Sequence, residues 1–175
     1  RGYDIQMITG YYRNRWAAGG GWAGSIRQTG FKGEVMAFVD LDKQNENRSV
    51  NLVAALSADH MLDNSLFLIA EVLYNKNGGR QQFLLLGEPL SADNPSYSRY
   101  QVTAQASYPF SPILNGSLSG IYYPDESAVF FSPSITWSVI QNLDLNILSQ
   151  FFAGSEDSAF SNAGNVFAGS LKWHF

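Results

Sequence analysis

Alternation with a period of two residues, sustained over most of the chain, narrows the possible folds more than any other feature. It is clearest at the end, where Phe167, Gly169, Leu171, Trp173 and Phe175 alternate with Val166, Ala168, Ser170, Lys172 and His174. Such spacing puts an apolar set and a small or polar set on opposite faces of a strand, whereas a helix would mix them. The last residue is aromatic and lies on the apolar face, although a chain end in a soluble domain is ordinarily polar and frayed. A strand of about ten residues is also the length that crosses a bilayer while tilted.

The same pattern recurs along the chain. Residues 2–12 set Tyr3, Ile5, Met7, Thr9 and Tyr11 against Asp4, Gln6, Ile8, Gly10 and Tyr12. A polar, Gly-rich link is expected over 13–19, then a strand with Trp22 and Ile26 opposite Ala23, Ser25 and Arg27. The cleanest strand, 31–41, has Val35, Ala37 and Val39 on one face and Lys32, Glu34, Met36, Phe38 and Asp40 on the other. Strands over 50–59 and 66–74 follow, with Asp59-His60 read as the start of a solvated turn. Residues 75–99 form the one long connection, in which Phe83-Leu-Leu-Leu86 is unexpected for a solvated loop: it suits a fold-back into the mouth of the barrel, with a strand extension or a partner contact as the alternatives,. Four more strands are expected at 100–108, 114–123, 129–138 and 143–151 before the last one, with a connection at 109–113. Pro133 cannot donate a ladder hydrogen bond and argues for a bulge or a local edge,.

The expectation is an all-β, antiparallel, up-and-down sheet of about ten strands in one domain spanning 1–175, closing as a transmembrane β-barrel. Connections after every second strand are short, and most of those between are longer and polar. Composition agrees with such a wall. Twelve Phe, nine Tyr and four Trp accompany 16 Gly, and only 15% of residues are charged, against about a quarter in soluble domains,. A net charge of −4 disfavours nucleic acid as a partner,. The absence of cysteine removes disulfides and thiolate chemistry,. Tyr3, Tyr11, Trp16, Trp22, Tyr74, Tyr100, Tyr108, Tyr122, Trp137 and Trp173 fall near strand ends, where aromatic girdles belong,.

Phe131-Ser-Pro-Ser-Ile-Thr-Trp-Ser138, Gln141-Asn-Leu-Asp-Leu145, Gln150-Phe-Phe152 and the terminal 167–175 resemble the last three strands of porin-like outer-membrane β-barrel proteins of Gram-negative bacteria. Tyr3-Asp-Ile-Gln-Met7, Gly21-Trp-Ala-Gly24 and Gly33-Glu34 are similar to central strands of that group. The resemblance implies an integral outer-membrane protein with both termini periplasmic and outer-membrane lipid around it. Trp173 and Phe175 would then serve as the C-terminal signal to the barrel-assembly machinery. Members of the group are often longer, which implies the C-terminal half of a larger barrel as the second architecture, with homo- or hetero-oligomers open. The implied function is passive passage of small solutes or ions. The alternatives are a non-conducting structural or interaction subunit and, more weakly, an outer-membrane enzyme.

The charged residues on the polar faces are the candidate site. Asp4, Arg27, Lys32, Glu34, Glu71, Asp144 and Lys172 would line a lumen, as a constriction or as a salt-bridged plug, since charges of this kind facing lipid each cost around 2–4 kcal/mol,. Phe38, Phe67, Ile69, Leu73 and Leu148 should share that inward face. The only histidines, His60 and His174, have no cysteine or ligand spacing beside them, so no metal, cofactor or catalytic group is expected,.

Overall fold

The computed structural model describes residues 2–41, 50–79, 89–156, 158, 160–161 and 163–175. Ten strands follow one another in chain order: β1 (Asp4–Tyr12), β2 (Arg15–Ile26), β3 (Thr29–Asp40), β4 (Val50–Met61), β5 (Phe67–Asn75), β6 (Tyr100–Ser111), β7 (Leu114–Tyr123), β8 (Ala128–Ile140), β9 (Leu143–Gly154) and β10 (Val166–Trp173). Each pairs antiparallel with its sequence neighbour, giving one up-and-down sheet ordered β1 to β10. Among the described residues no ladder joins β1 to β10, so these two strands are the edges of the sheet.

The turns explain where the strands stop. Arg13 and Asn14 both take left-handed φ values, 45° and 61°, and close a two-residue hairpin between β1 and β2,. The link expected over 13–19 is therefore only that turn, and Arg15 to Gly19 already lie in β2. Arg27 also has a left-handed φ, 58°, and belongs to the turn before β3 rather than to a strand face. Residues 109–111 extend β6 instead of forming a connection, with a shift of register between Pro109 and Ser111. At Pro133 there is no bulge. The register of β8 on β9 is the same on either side, from Phe131 opposite Phe151 to Ser134 opposite Leu148. The hydroxyl of Ser132 donates to the Ser149 carbonyl at 3.0 Å, replacing the N–H that proline lacks,. The bulge in β8 lies further on, between Ser138 and Ile140.

Reading the ladders across all ten strands sorts the side chains onto two faces. One carries Asp4, Ala17, Glu34, Ser57, Glu71, Thr103, Ser119, Ser134, Asn146 and Ser170; the other carries Ile5, Trp22, Val35, Leu56, Val72, Val102, Leu118, Ile135, Ile147 and Leu171. Among the described residues nothing covers the apolar face: Val72, Leu118 and Ile135, in the middle of the sheet, are 48%, 50% and 46% exposed. On that face aromatic rings lie over glycines. A side chain on Gly33 would overlap the Trp22 ring, and one on Gly24 would overlap Tyr3,. The glycine density of the sequence is thereby used to seat rings flat on the wall.

Buried side chains gather on the polar face instead. They include Phe38 of β3, Asn51 of β4, Asn75 of β5 and Ala128 of β8, all towards one end of the sheet. That end holds the described connecting residues 13–14, 76–79, 89–99, 124–127, 155–156 and 163–165 and is called here the long-loop end. The opposite, short-turn end holds 27–28, 62–66, 112–113 and 141–142, together with the start of β1 and the finish of β10.

Candidate functional site

Two connections fold back over the polar face at the long-loop end. Within the first, 89–99, Ser91 and Asn94 bond to each other's main chain, making a tight turn. Asp93 at its tip forms an ion pair with Arg15 of β2, Nη1 to Oδ2 at 2.6 Å, and accepts a hydrogen bond from Ser91 Oγ at 2.7 Å. Its main-chain carbonyl accepts from Asn51 Nδ2 on β4. Asn75, at the end of β5 and fully buried, donates to Asn94 Oδ1 and to the Ser96 carbonyl, both at 2.6 Å. Ser96 Oγ in turn donates to Gln101 Oε1 of β6 at 3.0 Å. The segment is thus fastened to β2, β4, β5 and β6 by groups that all project from the polar face.

The second returning connection contributes Phe160, which packs with Ala128 beside Tyr123, Phe130 and Phe152. Phe160 lies edge-on to Phe152 at 5.2 Å and to Tyr123 at 6.0 Å between ring centroids. Tyr97, from the first returning connection, packs on the same cluster. Side chains of β2, β4, β5, β6, β8 and β9 are thereby tied to returning loops over one face of the sheet. Residues 89–99 fold back over the polar face, whereas Phe83 to Leu86, the segment for which a fold-back is expected, lie outside the described residues.

The charges singled out in the sequence are placed as follows. Lys32 pairs with Asp59 across β3 and β4 at 3.4 Å. Asp144 accepts from Ser138 Oγ at 2.7 Å, meets His174 Nε2 at 3.1 Å and stands opposite Lys172 in the ladder. Asp4, Glu34 and Glu71 share the polar face and make no ion pair among the described residues. Arg27 is in its turn at the short-turn end. These groups are spread along the wall and do not converge on one point. Trp173 closes β10, and Phe175 beyond it is wholly exposed.

His60 is not in a solvated turn. It lies within β4 on the apolar face, its Nδ1 3.0 Å from Thr29 Oγ1 of β3. His174 bonds on the polar face, so the two imidazoles do not share a site. Among the described residues no three histidine, aspartate or glutamate side chains group as metal ligands would.

Between the returning loops and the charged rows, the polar face of β6 to β9 is a field of hydroxyls and amides. Ser117 and Ser134 bond at 2.7 Å, and Thr136 donates to Asn146 at 2.9 Å. Arg15, Asn51, Asn75, Asp93 and Phe160 were not legible as site residues from alternation alone. A usable signal was present, since Asn51, Asn75 and Gln101 are polar residues at the loop-side ends of strands, and such ends are where a returning loop is fastened. Compared with known proteins, the chain has no match to a family model, a curated protein or a solved structure.

Proposed function

We propose that this sheet is the wall of a porin-like barrel in the bacterial outer membrane, with lipid against its apolar face and a solute path along its polar face. The observation that carries the reading is the sorting of all ten strands into one apolar face, uncovered among the described residues, and one polar face onto which 89–99 and Phe160 fold. Soluble monomers rarely expose a contiguous apolar patch larger than a few hundred Å², and a bilayer is the solvent in which such a face is stable. Small solutes or ions would pass by diffusion, with residues 89–99 and the Phe160 cluster narrowing the long-loop end, which faces outward in this reading. Trp173 and Phe175 would present the periplasmic end of β10 to the assembly machinery.

The path is acidic. Asp4, Glu34, Asp40, Asp59, Glu71 and Asp144 outnumber Arg15, Lys32 and Lys172 on the polar faces of the strands, which favours cations over anions,. The second reading is a non-conducting wall used as a structural or interaction subunit. It is favoured by the same two returning loops, which bury Phe38, Asn51 and Asn75 beneath them. Single-channel recording in planar bilayers separates the two. Discrete, cation-preferring steps support the path, and a reconstituted chain silent at every voltage refutes it.

A further inference from the structure

Of the acidic, basic and imidazole side chains within the ten strands, only His60 stands on the apolar face. An imidazole set against lipid needs polar partners, and Thr29 supplies one, its Oγ1 3.0 Å from Nδ1,. With the Thr29 hydroxyl donating to Nδ1, Nε2 carries the ring proton. Among the described residues that proton has no acceptor.

His60 stands where two hollows meet. The first, of about 560 Å³, lies on the apolar face of β4 to β8, and its size is that of a ligand site,. Its floor is a row of small residues that the ladders set directly abreast: Ala58, Ala70, Ala104 and Gly120. Leu68 and Leu118 flank the row towards the short-turn end, Val102 and Tyr122 flank it on the other side, and Phe131 closes it at β8. The second hollow is lined by Ile26, Arg27, Gln28, Thr29 and His60, at the turn between β2 and β3. Arg27 is exposed there and forms no ion pair among the described residues. Of the nearby carboxylates, Asp59 is on the polar face and pairs with Lys32, and Asp63 lies in the next turn beside Gln28 and His60.

An apolar slot whose polar end holds a guanidinium and an imidazole N–H matches one lipid, tail and head. The depth agrees. Ala58 is three residues from the end of β4, whereas Phe131 is nine from the end of β8. That difference, six residues at about 3.3 Å each on strands tilted by about 45°, is a rise of about 14 Å, close to the ~15 Å of one leaflet in a hydrocarbon core of ~30 Å,. In the membrane setting proposed above, on which this inference rests, the short-turn end meets the periplasmic leaflet. We infer that an anionic phospholipid of that leaflet occupies the site, with one acyl chain along the row from Ala58 to Gly120. Its phosphate accepts from Arg27 and from His60 Nε2. Charge selects the head group: phosphatidylglycerol brings a net negative charge to Arg27, whereas the choline of phosphatidylcholine cancels its own phosphate.

Photo-crosslinking tests the site. The full chain would be reconstituted in phosphatidylcholine vesicles containing a minor fraction of phosphatidylglycerol with a diazirine at one acyl-chain end. Peptide mapping should find adducts concentrated around Ala104, Gly120 and Phe131, in excess over those from phosphatidylcholine carrying the same probe. Arg27→Gln, in its exposed turn, should lower that excess about five-fold, the worth of one basic residue at an anionic surface. Ala104→Phe, which fills the row, should remove the excess with Arg27 in place. Adducts spread evenly over the apolar face overturn the site, as does an excess that Arg27→Gln leaves unchanged. Displacement of the probe by lipopolysaccharide but not by unlabelled phosphatidylglycerol overturns it too. Extraction with alkaline carbonate keeps the two readings apart. Even labelling of a chain that stays with the vesicles removes the lipid site alone, whereas an unlabelled chain released to the aqueous phase removes the membrane wall and the site with it.

Discussion

Replacing Asp93 with Asn should loosen the inward loop while leaving the strands in place. The carboxylate is 11% exposed and lies 2.6 Å from the Arg15 guanidinium, which is 25% exposed. Breaking a fully buried pair costs about 3–5 kcal/mol, and an exposed pair contributes about 0–1 kcal/mol. A site between these limits should lose about 2 kcal/mol. The Ser91 contact can survive, because the amide oxygen still accepts,. About 2 kcal/mol corresponds to roughly a thirty-fold change in the ratio of released to fastened loop. In planar bilayers Asp93→Asn should raise the ratio of wide to narrowed dwell times by roughly that factor, and Arg15→Gln should do nearly the same. The double variant should be no worse than either alone, because both remove a single interaction. Limited proteolysis within 89–99 provides the independent readout. A loop that becomes cleavable while dwell times and conductance stay unchanged would refute the assignment of this segment to the path.

Other parts of the wall give independent tests. Glu34→Gln with Glu71→Gln should shift the reversal potential in a salt gradient towards lower cation preference, and an unshifted potential would place the path elsewhere. Phe160→Ala removes the ring shared by Tyr123 and Phe152 and should cost about 3 kcal/mol, read from denaturant midpoints in detergent,. Leu118→Arg on the apolar face should cost about 2–4 kcal/mol in a bilayer, while Ser119→Arg, one residue on, should cost much less,. Gly33→Val should push Trp22 off the wall, detectable as a red-shifted indole emission.

Fold and face assignment were legible because a period of two is a local property: the parity of Phe31 to Asp40 or of Leu114 to Tyr123 needs no knowledge of neighbours. Where the reading went astray, a turn was decided by backbone conformation rather than by composition. Arg13-Asn14 makes a two-residue hairpin with no glycine in it, so the Gly-rich run after it looked like a link although it lies in β2. His60 was assigned by its polarity and its acidic neighbour, yet the ladder places it among Ala58 and Leu68, where Thr29 satisfies its ring. The fastening of 89–99 was out of reach, because Arg15 and Asp93 lie 78 residues apart and meet only once the loop after β5 folds over the polar face that carries Arg15. Nothing in alternation distinguishes a sheet that closes on itself from one whose edges stay open.

The central claim is that odd and even positions of one strand face different solvents, and β6 tests it most directly. Spin labels placed one at a time from Val102 to Ser107, in the chain reconstituted in lipid, would report access to oxygen and to a water-soluble nickel chelate. The account predicts oxygen access peaking at 102, 104 and 106 and nickel access peaking at 103, 105 and 107, in strict alternation. Nickel access at all six positions would show that the apolar face meets water, and the membrane wall would be contradicted.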